Sequence, residues 1–118
     1  MNQIFPDLWQ TQAEHPFPGL TTHAYLLVRA EGNVLLYGTG AMDELRPMRE
    51  LGGVVRQYLS HRDEASPALL SVKQEFGSEL CCQELEAEVV RAMRPVDLTF
   101  EARETFADGI EAIPTPGH

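Results

Sequence analysis

Six residues, Val54-Val55-Arg56-Gln57-Tyr58-Leu59, form a β-branched and apolar run that stops at five polar residues, Ser60-His61-Arg62-Asp63-Glu64. Ser66-Pro67 follows and opens a helical pattern. Serine at an N-cap satisfies an orphan amide, and proline in the first turn has no N–H to lose. A strand that empties into a polar turn and then a helix commits the chain to an α/β arrangement, in which chemistry sits in the loop leaving the strand. The chain repeats the device near its end. Ile110-Glu111-Ala112-Ile113 reads as a short strand, and Pro114-Thr115-Pro116-Gly117 is a turn that presents His118.

The remaining segments fit around these two. Phe5–Thr11 is expected as a short edge strand, because Pro6 cannot donate to a ladder. His15–Gly19 is a loop that leaves His15 to solvent. His23–Ala30 and Val34–Tyr37 are strands joined through Glu31-Gly32-Asn33, a hairpin whose continuous apolar runs imply cover on both faces. His23 stands at a strand start, where a structural hydrogen bond and a ligand role are both open. Gly38-Thr39-Gly40 is a turn that lets the backbone come close to a neighbour. Asp43 is placed to cap a helix with Leu45, Met48 and Leu51 on one face, Pro47 in its first turn and Gly52-Gly53 as its stop.

Leu69, Val72 and Phe76 mark the inner face of the helix after Ser66-Pro67, and Gly77 ends it. Glu79–Cys82 is a short strand. Glu84–Arg94 is a further helix, with Leu85, Val89 and Met93 expected inward. Its early glutamates and late Arg91 and Arg94 suit the helix dipole. Leu98–Phe100 and Arg103–Phe106 are expected to pair, and Asp108-Gly109 is a hairpin turn into Ile110–Ile113. The order predicts one α/β (α+β) unit over residues 1–118, a mixed sheet with helices packed on it. Helices that cover mainly one face would leave the other wet, so further protein or a second copy, a homodimer, is expected to cover it.

A net charge of −9 argues against nucleic acid and anionic membrane as partners, since both need a cationic face. No apolar run approaches the roughly 20 residues of a membrane-spanning helix. Met1–Pro6 lacks a basic region followed by an apolar signal core, so a cytoplasmic location is expected. Neighbouring Cys81 and Cys82 could bridge only with strain, which predicts two reduced, buried thiols in a strand. A redox role is the other reading, and it requires a thiol of lowered pKa.

Four segments together resemble the N-terminal half of a metallo-β-lactamase-fold protein. Thr22–Leu27 with Gly32–Leu36 resembles that superfamily's opening strands. Tyr37-Gly38-Thr39-Gly40 resembles the Asp-Thr-Gly turn after them. Leu59–Glu64 sits where the H-x-H-x-D-H metal motif is carried. Phe106-Ala107-Asp108-Gly109, then Ile113-Pro114-Thr115-Pro116-Gly117-His118, resembles the stretch delivering the next metal-binding histidine. The resemblance implies an αβ/βα sandwich, of which residues 1–118 supply the first half.

It also implies a hydrolase-like protein acting on an ester, thioester or phosphoester. The motif is altered at its centre. His61 is retained, Asp63 stands at the second histidine, Ala65 at the aspartate, Ser66 at the final histidine, and Gly38 at the aspartate of the turn. The second metal position is thereby erased. His61, Asp63 and His118 are left as a set of two imidazoles and a carboxylate for one zinc, iron or manganese, with Glu64 as general base, proton shuttle or ligand. Arg62 could pair with either carboxylate. Against this stands a site that binds no metal, in a module kept for binding a small molecule or protein.

Overall fold

The computed structural model describes residues 1–60, 62–106 and 109–113, and of Asp63 only the backbone. The strands are β1 (Asn2–Phe5), β2 (Leu8–Gln10), β3 (Tyr25–Leu27), β4 (Val34–Leu36), β5 (Arg56–Tyr58), β6 (Glu79–Gln83), β7 (Leu98–Phe100), β8 (Glu104–Thr105) and β9 (Glu111–Ala112). The helices are α1 (Leu45–Glu50), α2 (Ala68–Phe76) and α3 (Glu84–Arg91). Strands β1 to β7 form one sheet in chain order. Pairing is antiparallel from β1 to β4 and parallel from β4 to β7. Each parallel step is a crossover through one helix, as a parallel ladder requires. The mixed α/β sheet expected from the sequence is the sheet observed.

All three helices lie on one face. Met48 of α1 and Val72 of α2 pack with Leu26 and Leu35, while Leu69 of α2 and Ala87 and Val90 of α3 pack with Leu80 and Cys82. The other face carries Val34, Tyr58 and Cys81, and it is not left wet. The β8–β9 hairpin lays Phe106 and Ile110 against it, and the Phe106 ring meets those of Tyr58 and Phe100 at 5.6 and 6.2 Å. No helix of the described residues is long and apolar enough to cross a membrane.

Several local expectations are corrected. Phe5–Thr11 is not one strand: β1 and β2 are a hairpin turning at Pro6-Asp7, so the sheet edge is β1. Arg103–Phe106 does not pair with Leu98–Phe100. β7 joins β6 in parallel, and β8 pairs with β9. Asp43 caps nothing. No side chain caps the turn at Met42–Glu44 or α1, and Asp43 accepts from Gln12 Nε2 at 3.4 Å. Ser66 does act at the start of α2, its hydroxyl accepting from Ala68 N at 3.2 Å. Gly77 ends that helix in the left-handed region, φ 65°.

The largest correction concerns α3. Leu85, Val89 and Met93 point outward, Leu85 being 77% exposed, whereas Ala87, Val90 and Arg94 face the sheet. A small residue on the packed stripe lets the helix axis approach the sheet, and that geometry outweighs the larger apolar side chains. Arg94, expected near the helix end where a cation suits the dipole, is buried. Its guanidinium donates to the carbonyls of Ser78 and Leu69 and to Asp97. Burial pulls its pKa below the ordinary value, and Asp97 opposes that pull.

Asn33 ties the first half together. Its Oδ1 accepts from Arg29 N at 2.9 Å, and its Nδ2 donates to the carbonyls of Leu51 and Gly53 at 2.9 and 3.0 Å. The β3–β4 turn and the end of α1 thus share one buried amide.

Two leucine truncations separate the faces. Leu80→Ala, at a fully buried position, is expected to cost about 2–5 kcal/mol in urea denaturation. Leu85→Ala is expected to stay within about 0.5 kcal/mol of the parent. Equal losses would contradict the orientation of α3.

Candidate functional site

The carboxyl ends of β4 and β5 open into a cleft of about 640 Å3. Its walls come from three places: the loop between β2 and β3, the turn after β4, and the loop after β5. The first supplies Glu14, Phe17 and Leu20; the second, Tyr37 to Gly40; the third, Ser60 and Glu64. Strand ends converge here because β3 runs antiparallel to β4, so Tyr25 at the start of β3 sits opposite Leu36 at the end of β4.

The turn after β4 is gripped by two carboxylates. Glu64 Oε1 accepts from Gly38 N at 2.7 Å, and its Oε2 accepts from the amide and hydroxyl of Ser60 at 2.7 and 2.8 Å. Glu14 accepts from the Thr39 hydroxyl at 2.5 Å and from Gly40 N at 2.9 and 3.1 Å. Thr39 Oγ1 in turn accepts from Ala41 N at 3.1 Å. Bonds from neutral donors to a carboxylate are stronger than neutral pairs. The glycines make the approach possible. A Cβ on Gly38 would stand 3.3 Å from both Cβ and the carbonyl oxygen of Glu64, and one on Gly40 would stand 3.1 Å from Glu14 Oε2. Gly38, where the resemblance places an aspartate, therefore admits a carboxylate from the next loop.

Tyr37 is the exception to glycine's usual role. Its φ is 73°, a conformation costly for a bulky side chain, on the order of 1–3 kcal/mol. The surroundings hold it there: Tyr37 N donates to the Tyr58 carbonyl at 2.7 Å, and Gln57 Nε2 donates to the Tyr37 carbonyl at 3.0 Å.

The expected site residues are distributed as follows. His61 and His118 lie outside the described residues, as does the Asp108 turn. Asp63 belongs to a short 3-10 turn, Arg62–Glu64, of which its backbone alone is described. Glu64 lies in the cleft wall, committed to Gly38 and Ser60. Arg62 pairs with Glu86 and donates to the Leu85 carbonyl at 3.2 Å, which draws it toward α3. His23 holds a structural bond. Its Nδ1–H donates to the Thr11 carbonyl at 2.8 Å, while the ring also lines the cleft. His15 is exposed and bonded to Thr21. Glu14 and Tyr37 were missed. A bond spanning 26 residues leaves no trace in local spacing, and no tyrosine announces a left-handed backbone.

Among the described residues no group of three His, Cys, Asp or Glu side chains could hold a metal. Two positions that a second metal would need are occupied by the fold. Ala65 has an apolar side chain packed against the core cluster under α2 and α3, and the Ser66 hydroxyl serves the start of α2. Neither residue carries the carboxylate or imidazole that the resemblance sets at its position. The lowered pKa that the redox reading requires is absent at Cys82. Cys81 and Cys82 lie in β6, buried, and join no disulfide. Desolvation pushes the Cys82 thiol up to about 11, the reverse of what a reactive thiolate needs.

No protein-family model and no curated protein matches the sequence. Solved structures do match the fold. A metallo-beta-lactamase from Pontibacter korlensis superposes with a TM-score of 0.70 at 20% identity, over 92% of this chain and 55% of that one. One from Cronobacter sakazakii, mutated in its HARLDQ motif, gives 0.68 at 18% identity, over 92% of this chain and 50% of that one. One from Hirschia baltica gives 0.66 at 12% identity, over 87% and 52%. The chain has the metallo-β-lactamase fold, and it spans about half the length of the solved structures it matches.

Two measurements test the site's chemistry. Glu64→Ala removes three bonds to a part-exposed carboxylate and is expected to cost about 1–3 kcal/mol in chemical denaturation. The Cys82 thiol is neutral in the folded chain up to about pH 11, whereas an unfolded thiol ionises near 9.0. The unfolded state therefore binds fewer protons between these values, and stability is expected to fall as pH rises through that window. In Cys82→Ala that part of the decline should vanish from the pH dependence of the denaturation midpoint.

Proposed function

We propose that this chain is a hydrolase-like protein of the metallo-β-lactamase fold, acting on an ester, thioester or phosphoester at a centre with a single metal. The observation that carries the reading is the join between motif and cleft: the altered motif loop, through Ser60 and Glu64, forms one wall of the cleft at the strand ends. His61, Asp63 and His118 are the residues that would hold the metal, a donor set suited to zinc and tolerant of iron or manganese. Such an ion supplies an acidified water and polarises a carbonyl or phosphoryl oxygen.

The chain's own residues have definite tasks in this proposal. Glu64, which sequence reasoning offers as a general base, shuttle or ligand, acts as a positioning residue. It holds the Ser60 end of the motif loop against the Gly38 turn. Tyr25, Tyr37 and Phe17 supply apolar surface that orients the substrate and excludes water.

A second reading is favoured by one specific observation. The cleft's described acid–base groups are already engaged: Glu14 with Thr39 and Gly40, Glu64 with Gly38 and Ser60, and His23 Nδ1 with Thr11. On that reading the cleft binds a small molecule without turning it over.

Metal content separates the two. The full-length protein, purified without added metal, is expected to carry about one equivalent of zinc, iron or manganese by mass spectrometry. His61→Ala should lose it. No metal after reconstitution with excess zinc would leave the binding module, and two equivalents would contradict the single-metal centre.

A further inference from the structure

Tyr37 has the only positive φ among the described non-glycine residues. Glycine would take the same backbone without strain. The ring is not there to fill the core, because the residue is 42% exposed and lines the cleft. It meets the Tyr25 ring edge-on, centroids 6.2 Å apart at 79°, and Tyr25 lies 6.4 Å from the His23 ring. Phe17 and Leu20, 64% and 44% exposed, line the same cleft. A strained backbone that carries an exposed aromatic to a cleft is placed for a ligand, since the ring adds nothing to the buried core.

Charge narrows the ligand. The described lining holds the carboxylates of Glu14 and Glu64 and no lysine or arginine, in a chain of net charge −9. In the metal-free chain, an anion entering this cleft would be repelled by these carboxylates at short range. We infer that the cleft selects a flat aromatic group bearing no negative charge, with Tyr37 as the residue that determines this specificity. The inference rests on the hydrolase reading for the bond to be cleaved and narrows it to a neutral aryl ester or thioester in place of an anionic phosphoester. Recognition itself needs neither metal nor turnover.

The test uses the full chain after chelator treatment, titrated with 2-naphthamide and 2-naphthoate, which share a ring system and differ in charge. Binding is read from tyrosine ring resonances by NMR. The amide is expected to bind about tenfold tighter than the carboxylate. Tyr37→Phe should keep the amide's affinity. Tyr37→Gly should lower it about fivefold with Tm unchanged or raised, because glycine relaxes the backbone while the ring contact is lost. Phe17→Ala, on an exposed loop with little packing to lose, should lower it as well and guards against misfolding of the glycine variant. Naphthoate binding as tightly as naphthamide, no saturable naphthamide binding, or parent affinity in both Tyr37→Gly and Phe17→Ala would each overturn the inference. The hydrolase reading is judged separately by metal content. Amide binding without metal uptake supports this inference and removes the hydrolase, and metal uptake without amide binding does the reverse.

Discussion

Glu64 and Glu14 reach the Gly38-Thr39-Gly40 turn from its two ends, and the shape of the cleft refers to that turn. Backbone amides at a strand end need acceptors, and here they are carboxylates drawn from loops distant in sequence. The same bonds fasten both the loop after β5 and the loop before β3 to the turn after β4. Removing either carboxylate would leave orphan amides and a glycine turn free to move. That grip fits two glycines at positions where a Cβ would crowd the glutamates at 3.3 and 3.1 Å.

This arrangement also bears on the metal. In the described part of the loop, Ser66 serves a helix start and Ala65 a core contact, and neither carries the carboxylate or imidazole that the resemblance sets there. The motif loop has been turned toward structural duty along part of its length. In the single-metal proposal His61 and Asp63 would hold the ion, and the Glu64 clamp would fasten the loop that carries them.

Much of the fold could be read from the chain. The Gly32-Asn33 turn, the Ser66 start, the Gly77 stop and the reduced thiols depend on local physics: left-handed backbone at glycine, capping, and the geometry of adjacent cysteines. Where local and long-range preferences compete, the sequence misled. Leu85, Val89 and Met93 make the more hydrophobic stripe of α3, yet close approach to the sheet favours the smaller Ala87 beside Val90. The hairpin expected between Arg103–Phe106 and Ile110–Ile113 does pair β8 with β9, whereas its docking on Tyr58 and the parallel pairing of β7 with β6 are tertiary choices. Of the site, the loop at the end of β5 was legible from its composition. The Glu14 bond and the Tyr37 backbone were not, since both are imposed by contacts across the cleft.

The pair of identical residues in β6 has its own consequence. Cys81 faces the side covered by β8 and β9, and Cys82 the side covered by the helices. Sliding the strand by one position would exchange one sulfur for another, so these two residues discriminate weakly against a slipped alignment. Fidelity must come from neighbours that cannot be swapped. Asp97 meets the Leu80 amide at 2.8 Å and also holds Arg94, while Gln83 accepts from Leu85 N at 2.6 Å where the strand passes into α3. The central strand of the parallel half is thus indexed from its flanks, by a polar peg at each end.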